Sequence, residues 1–493
     1  MRKNFHGLIF LLATSVYANA QSIGNDKRWK RNFPQNIYQI QNFKLQNLNT
    51  TFKTNPYWKQ VNVPHKDSSF IQDVEVPNAR TVWGTIGFYN IERPATIYYV
   101  RTSDEGYSWK LDSLPISTDY GINSFAPLDA YTCYAAVANV FIGGGGIYKT
   151  NNGGKTWHQL SPGQLFGSTS YPDFVHFWDE SHGVAVGDGN GPGTPYFEIY
   201  TTSNAGATWE RIPAGNIPIP DGFPYSFNNG YTVAGNRIWF QGFDSNGGHF
   251  IYRSDDYGHH WKSFPITVKH FGDFAFTDRL NGLANGFDNK GITEIYSSHD
   301  GGETWKKVNY SVTPMALYIT AVPGTTTYVT TSSFATIAFG SSYSTDNGKT
   351  WTLIDSGANA LHNDVKFLNS CIGWSGETET SASDHGGMFK WKGFLPNDND
   401  KNISDASIAK ITLSNEINIK LYPNPAINIL KVEGLHSSVN NKLSIIDASG
   451  RMAWQLNTSN TNYTFDIQRL AAGNYYLKIE TDKNVTTLKF VKK

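Results

Sequence analysis

The chain has 493 residues, of which 39% are hydrophobic, 14% are aromatic and 46 are glycine. Its 41 Lys and Arg residues balance 41 Asp and Glu residues, and no basic stripe appears, so we expect no nucleic-acid partner. Two cysteines are too few for a disulfide framework. This composition is typical of a secreted all-β protein.

The N-terminus has the pattern of a secretory signal peptide. Arg2 and Lys3 precede an apolar run from Leu8 to Ala13, and Ala18-Asn19-Ala20 is a small-x-small cleavage site. We predict a signal peptide over residues 1–20, an N-terminal extension over 21–56, and transit through the periplasm. No other stretch reaches the roughly 20 apolar residues of a membrane helix, so no transmembrane segment is predicted.

An octapeptide with the pattern Ser/Thr-x-Asp/Asn-x-Gly-x-Ser/Thr-Trp recurs six times, about 44 to 52 residues apart. A fixed period of this size with strand and turn signals predicts a β-propeller. The residues at its third and eighth positions are Asp104 and Trp109, Asn152 and Trp157, Asn204 and Trp209, Asp256 and Trp261, Asp300 and Trp305, and Asp346 and Trp351.

The chemistry of this octapeptide is structural. Its Asp or Asn oxygen can accept a backbone amide two residues on, its fifth-position Gly permits a positive φ, and its Trp packs the hairpin on its neighbour. The pattern resembles the Asp-box (BNR) repeat of sialidase-like and photosystem-assembly-factor-like propellers. That resemblance implies that each box joins the two outer strands of a blade at the rim, away from the central channel.

The number of blades follows from two unmatched half-patterns. Tyr57 to Val61 is a Trp-led run with no box, and Gly386 to Trp391 is a strand with no box after it. We predict that they form one composite blade, since closure leaves no strand edge exposed. Six boxed blades and one composite blade give a seven-bladed propeller over residues 57–393.

Carboxylates are concentrated on the predicted funnel face, where a propeller usually holds its ligand. Four aspartates share one register at the start of the innermost strands, and funnel-face loops add further acidic and aromatic residues. The ligand-binding candidates are Asp73, Asp173, Asp273, Asp364, Glu92, Tyr196 and Tyr225. Asp188 and Glu377, which do not repeat, are the candidates for catalysis, because a glycosidase needs paired carboxylates. The alternative is that the repeated aspartates cap backbone amides.

A sialidase is not expected, because it needs three arginines around the substrate carboxylate. Only Arg93 is predicted on the funnel face, and Arg211-Ile212-Pro213 follows a box instead of preceding the first one. The runs 182–187 and 372–376 resemble a strand of the photosystem-assembly-factor-like repeat, which implies a binding module. The hypothesis is a non-catalytic module that binds a glycan or protein; the alternative is a glycoside hydrolase.

No cofactor and no metal site are predicted. His259-His260 and His176 lack partners at ligand spacing, and the segment from Asp398 to Asn402 lacks the Gly and Glu of a calcium loop. Cys133 and Cys371 are expected to be buried free thiols, too far apart to be bridged.

The C-terminal region changes character after a polar linker predicted over residues 394–418. Alternating apolar residues, beginning with Ile427, Ile429, Leu430 and Val432, predict a small antiparallel β-sandwich over 419–493. Its YPNP, GR and L-x-x-G-x-Y elements resemble the type A C-terminal sorting domain of the Bacteroidota type IX secretion system. The resemblance implies that the secretion machinery is a partner and that the protein reaches the outer-membrane surface or the medium. An appended carbohydrate-binding sandwich is the alternative.

Overall fold

The computed structural model describes residues 57–66, 69–88, 97–190, 195–268, 270–288, 292–334, 338–357, 359–378, 387–396, 419–433, 435, 441–447, 452–480 and 485–493. The chain divides into two compact units, Met1–Leu395 and Pro396–Lys493. The predicted signal peptide, the N-terminal extension, Glu92, Arg93 and most of the predicted linker lie outside the described residues.

The first unit contains seven four-stranded antiparallel sheets, here called blades 1 to 7, each with its first strand innermost. Blade 1 comprises Ser69–Asn78, Thr81–Phe88, Tyr98–Thr102 and Lys110–Ser113, and blade 2 comprises Tyr120–Pro127, Cys133–Asn139, Gly145–Thr150 and His158–Gln159. Blade 3 comprises Pro172–Phe177, Gly183–Gly187, Glu198–Thr202 and Glu210–Arg211. Blade 4 comprises Pro224–Ala234, Arg237–Asp244, His249–Ser254 and Trp261–Pro265. Blade 5 comprises Phe271–Phe276, Gly282–Phe287, Thr293–Ser298 and Lys306–Val308. Blade 6 comprises Tyr318–Ala321, Tyr328–Phe334, Ala338–Ser344 and Thr352–Ser356. Blade 7 comprises His362–Asn369, Ile372–Glu377, Met388–Trp391 and Trp58–Val61. Each first strand contacts the first strand of the next blade, and blade 7 contacts blade 1, which confirms the seven-bladed propeller. A single turn of 3-10 helix, Ala214–Asn216, follows blade 3.

Blade 7 is composite. Trp58–Val61 pairs antiparallel with Met388–Trp391, and Trp58 lies opposite Trp391 in the register. The indole Nε1 of Trp58 also donates to Ser341 Oγ of blade 6 at 3.0 Å. The strand from the N-terminal side therefore closes the ring by backbone pairing and by a buried side chain.

All six Asp boxes form the hairpin between the third and fourth strands, with one hydrogen-bond pattern. In the blade 1 box, Ser108 N donates to Asp104 Oδ1 at 2.9 Å, and the amides of Asp104 and Gly106 both donate to Thr102 Oγ1. The Asp or Asn oxygen thus accepts the amide four residues on, not two as the sequence suggested. The first-position hydroxyl takes the nearer amide, because it lies directly below the turn.

The boxes are also tied to the first turn of their own blade, and their tryptophans pack between blades. The amide of Glu105 donates to Arg80 O at 2.9 Å, and equivalent bonds recur in other blades. Trp157 of blade 2 contacts Tyr99 of blade 1, with Nε1 to OH at 3.1 Å. Since stacked aromatics of neighbouring blades form the interblade cores, each box fixes its blade to the one before it.

The two cysteines are free, but only one matches the expectation of burial. Cys133 begins the second strand of blade 2 and is fully buried, whereas Cys371 is only partly buried. Cys371 differs because it lies in the turn that precedes the second strand of blade 7, where solvent reaches the side chain.

The second unit contains two antiparallel sheets, which confirms a small β-sandwich. One sheet comprises Lys420–Tyr422, Ile429–Glu433 and Asn462–Asp466; the other comprises Met452–Thr458, Asn441–Asp447, Gly473–Glu480 and Val485–Lys492. Leu430 and Val432 are fully buried in a core with Leu443 and Phe490. Ile427 and Ile429, in contrast, are 61% and 44% exposed, because the alternation turns them outward. Within the described ranges, no helix has the length and apolar character needed to cross a membrane.

Candidate functional site

Charged side chains from several innermost strands converge on the central channel. Lys366 of blade 7 lies 3.9 Å from Glu75 of blade 1, measured from Nζ to Oε1. Burial raises the pKa of Glu75 to about 7, and the Lys366 charge only partly offsets this rise. Burial alone would lower the pKa of Lys366, but Glu75 and Asp364 outweigh it and the pKa lies above its usual range. The channel therefore holds a cation whose charge is stabilised by carboxyl groups of blade 1 and of its own blade 7.

The four register aspartates lie at or beside β-bulges, and two of them cap amides of the next blade. Asp364 of blade 7 accepts the Val74 amide of blade 1 at 2.9 Å, and Asp273 of blade 5 accepts the Ile319 amide of blade 6 at 2.9 Å. The extra residue of the bulge turns these carboxylates toward the neighbouring strand. Both therefore join adjacent blades.

Asp73 is held within the channel by side chains. Thr85 Oγ1 donates to Asp73 Oδ2 at 3.0 Å, and Asn229 Nδ2 lies 3.4 Å from Oδ1. Burial, and then the nearby Asp364 charge, raise the pKa of Asp73 to about 7. Burial also raises the pKa of Asp273, to about 6. The hydrogen bonds that Asp273 accepts from the Ile319 and Phe274 amides oppose this rise.

Asp173 departs from the amide-capping pattern and is paired with Asp188. Both side chains are buried, with 0% and 1% exposure, so Asp173 does not face the mouth of the channel as predicted. Asp188 Oδ1 accepts the Ser226 amide of blade 4 at 2.9 Å, while both buried oxygens of Asp173 have no hydrogen-bond donor and the neighbouring Asp188 raises the Asp173 pKa. Burial, reinforced for Asp173 by Asp188, raises the pKa of both carboxyl groups. A single proton shared by the two groups would satisfy oxygens that otherwise have no donor.

Glu377 is placed at the closure of the ring, away from Asp188. Its Oε1 accepts Gln60 Nε2 at 2.6 Å and its Oε2 accepts the Gly387 amide at 2.9 Å. The side chain is 7% exposed. It therefore ties the N-terminal strand of blade 7 to the second and third strands.

The two candidate tyrosines are partly buried and pack against protein groups. Tyr225 stacks on Phe243 with ring centroids 5.3 Å apart, and Arg211 lies 6.0 Å from the centroid of the Tyr196 ring. Burial, with the charges of Asp188 and Asp244, raises the pKa of Tyr225. The structure thus brings Tyr225 near Asp188 but leaves Tyr196 on the outer side of blade 3.

Five of the six described arginines of the propeller are held in ion pairs or carbonyl contacts, whereas Arg80 is exposed in the first turn of blade 1. Arg211 pairs with Glu198 at 2.8 Å, and Arg253 pairs with Glu303 at 2.9 Å. Arg237 pairs with Asp255, and Arg101 donates to Ala130 O at 3.0 Å. Arg237, Arg253 and Arg279 converge on the Asp255 carboxylate of the blade 4 box, but no three described arginines meet in the channel.

Sequence reasoning missed Glu75, Lys366 and an insertion in blade 4. The first strand of blade 4 runs for 11 residues, and its pairing is interrupted between Ser226 and Tyr231. The inserted residues reach across the channel, where Asn228 Nδ2 donates to Asn123 Oδ1 of blade 2 at 3.1 Å. The Asn228-Asn229-Gly230 run, which favours a turn inside a strand pattern, is the signal that could have revealed the insertion.

The described residues contain no cluster of three or more His, Cys, Asp or Glu side chains arranged to hold a metal ion. Chemically, the channel offers one cation among carboxylates, amide groups and partly buried aromatic rings. Such groups can form hydrogen bonds and ion pairs with a ligand.

Comparisons with known proteins agree with the two units. A family model described as BNR/Asp-box repeat matches residues 296–307 and 342–353, and one described as the secretion system C-terminal sorting domain matches 420–493. No curated protein sequence matches the chain significantly.

Several solved structures are similar to this chain at low identity. The structure of YCF48 bound to D1 peptide is 15% identical, covers 69% of this chain and 96% of its own, and has a TM-score of 0.47. YCF48 from Cyanidioschyzon merolae is 16% identical, covers 68% of this chain and 98% of its own, with a TM-score of 0.45. PorZ, a surface component of the type IX secretion system of Porphyromonas gingivalis, is 12% identical, covers 84% of this chain and 58% of its own, with a TM-score of 0.41. The chain is therefore an Asp-box β-propeller followed by a type IX sorting domain, which indicates a secreted protein of the cell surface or the medium.

Proposed function

We propose that this protein acts outside the cell as a non-catalytic binding module, whose propeller binds a glycan or a protein. The sorting domain would supply contact with the type IX machinery, and the propeller would supply the ligand-binding surface. Seven blades held by repeated cross-blade contacts form a rigid frame, which suits recognition by pre-formed surfaces.

The observation that carries this proposal is the burial of the Asp173 and Asp188 pair. A glycosidase needs two carboxyl groups on either side of the scissile bond, about 5 to 9.5 Å apart and open to substrate. Here Asp173 and Asp188 are close enough to raise the Asp173 pKa, and the two side chains are 0% and 1% exposed. A sugar cannot enter between them without opening the contact between blades 3 and 4.

The second candidate for catalysis, Glu377, supports the same proposal. Both of its oxygens are occupied by donors from the closing strand and the third strand of blade 7. A general acid or base must instead reach the reacting group through a free oxygen.

The experiment is a hydrolysis panel run beside a glycan and protein array on the purified full chain. We expect binding on the array and no release of reducing ends from cellulose, xylan, mannan, chitin or sialylated glycans. Hydrolysis that Asp188→Asn or Glu377→Gln abolishes would replace the proposal with a glycoside hydrolase. Absence of binding to every glycan and protein on the array would refute it outright.

A further inference from the structure

A cleft of about 170 Å³ opens on the Asp-box face between blades 3 and 4, opposite the funnel. Its walls include Trp178 from the first turn of blade 3, Trp209 from the blade 3 box and Tyr257 from the blade 4 box. Thr201, Glu210 and His259 add polar groups.

The cleft exists because blade 3 lacks a pair of large side chains that other blades place at this interface. In blades 1, 2, 4 and 7 an aromatic residue of the second strand lies opposite a cation of the third strand. These pairs are Trp83 and Arg101, Tyr134 and Lys149, Trp239 and Arg253, and Trp374 and Lys390. Blade 3 has Val184 opposite Thr201 instead.

The usual pair also fills the space by bonding to the next box. Lys149 Nζ and Tyr134 OH both donate to Ala205 O, the fourth-position carbonyl of the blade 3 box, at 3.0 and 2.9 Å. Lys390 Nζ donates to the equivalent carbonyl of Glu105 at 2.6 Å. Val184 and Thr201 are too short to bridge this distance, so the volume beside the blade 4 box is left open.

Two aromatic residues that do not belong to the repeat border this volume. Trp178 and Tyr257 lie edge to face, with ring centroids 5.1 Å apart. Four other blades also begin their first turn with Asp or Asn. The residue just before that Asp or Asn, where blade 3 has Trp178, is Pro77, Leu128, Thr277 or Leu368. The fourth-position residues of the other boxes are Glu105, Gly153, Ala205, Gly301 and Asn347.

Blade 5 shows that small residues alone do not produce the same surface. It also places short side chains at the interface, Leu283 opposite Ser297. The two aromatic positions there are occupied by Thr277 and Asn347. The combination of open volume and aromatic walls is thus specific to the interface of blades 3 and 4.

Tyr257 is held against the preference of its backbone. The fourth position of every box is in the left-handed region, with φ of 69° at Gly153, 75° at Gly301, 62° at Tyr257, and 65°, 59° and 57° at Glu105, Ala205 and Asn347. Glycine adopts this conformation without steric cost, whereas a bulky side chain does not. Tyr257 is nevertheless 46% exposed, so the fold covers this side chain only in part.

The polar groups of the cleft suit hydroxyl partners. Nδ1 of His182 is held by Asp179 at 2.9 Å, which orients the ring at the cleft edge. Hydroxyl groups and a neutral imidazole can both donate and accept hydrogen bonds, and a carboxylate accepts them, which suits the donor and acceptor pattern of sugar hydroxyls. The space is that of one ring, and the apolar face of a pyranose can pack on the Trp178 and Tyr257 rings while its edge meets polar groups.

We propose that the cleft between blades 3 and 4 binds one neutral pyranose unit of a glycan, with Trp178 and Tyr257 as its aromatic walls. This inference rests on the proposed function as a binding module, and it places a sugar site on the face opposite the predicted funnel.

The test measures binding of the methyl glycosides of glucose, galactose, mannose, xylose and N-acetylglucosamine to the full chain by saturation-transfer NMR and tryptophan fluorescence. Tyr257→Gly removes the ring at a position where glycine is favoured, so its melting temperature should equal or exceed that of the wild type. We expect it to weaken binding by about tenfold or more, as the loss of an aromatic anchor does. Asn347→Gly makes the same backbone change in the blade 6 box and should leave binding unchanged.

A second variant, Thr201→Lys, restores the cation found in blade 2 and should fill the cleft and abolish binding while the protein stays folded. Wild-type binding that survives both Tyr257→Gly and Thr201→Lys would overturn the site but leave the binding module intact. Failure of every glycoside to bind would also overturn the site. If proteins on the array still bound in that case, the proposed function would stand; if nothing bound, both would fail.

Discussion

Removal of the Trp58 side chain is the most direct test of how the ring closes. Trp58 is 7% exposed, donates to Ser341 Oγ at 3.0 Å and packs edge to face on Trp391, with ring centroids 5.0 Å apart. Truncating a buried Trp to Ala costs about 3 to 5 kcal/mol, and a lost buried hydrogen bond adds about 1 kcal/mol. For a unit of this size, Trp58→Ala should lower the melting temperature by about 5 to 10 °C.

The assay combines thermal unfolding with hydrogen exchange measured by mass spectrometry. In Trp58→Ala, exchange should accelerate in Trp58–Val61 and in its partner Met388–Trp391, because the closing strand detaches first. Trp58→Phe keeps most of the packing and should lose only about 1 to 2 kcal/mol. Trp157→Ala is the matched control, since Trp157 is also 7% exposed but lies between blades 1 and 2. A Trp58→Ala protein with unchanged melting and unchanged exchange in both strands would refute the closure.

Three further predictions concern the ends of the chain and the channel. Deletion of residues 21–63 should abolish cooperative unfolding of the propeller, since a whole strand of blade 7 is lost; cooperative melting at the wild-type temperature would contradict this. The folded pKa of Asp73, about 7, exceeds the unfolded value near 4, so its contribution to the free energy of unfolding falls as pH rises from about 4 to 7. Asp73→Asn should therefore gain about 1 to 4 kcal/mol over the wild type at pH 8 and roughly a third of that at pH 5, and urea denaturation that shows the opposite trend would exclude the proposed burial effect. Removal of residues 421–493 should leave the propeller folded but retained in the periplasm of a type IX-competent host, and wild-type amounts of the truncated protein outside the cell would show that this segment is not the sorting signal.

The architecture was predictable because it depends on short-range chemistry repeated along the chain. Each box has its own hydroxyl, carboxylate or amide oxygen, and glycine at the turn, so six hairpins are specified locally. The composite blade 7 was also predictable from local patterns. Its N-terminal and C-terminal parts each lack a partner in sequence, and pairing them leaves no strand edge exposed. Even so, the sequence predicted that the Asp oxygen accepts the amide two residues on, whereas in the structure it accepts the amide four residues on.

The candidate site was much less predictable. The common register of Asp173 and Asp273 suggested equal environments, yet Asp273 caps the next blade and Asp173 is paired with Asp188. The difference arises because Asp188, which directly follows the second strand of the same blade, accepts the Ser226 amide of the next blade and leaves Asp173 without an amide donor. Spacing along one chain segment contains no information about such competition.

By itself the sequence determined the periodic hairpins, the number of blades and the C-terminal sorting domain, since each can be recognised from a pattern within a short stretch of chain. Only the tertiary structure decided which carboxylates are buried, that Lys366 meets Glu75, and that Val184 and Thr201 leave a cleft beside Tyr257. Those features depend on side-chain volume and charge compared across neighbouring blades. The physical reason is that burial and Coulomb energies are set by distance in space, whereas turn and strand propensities are set by distance along the chain.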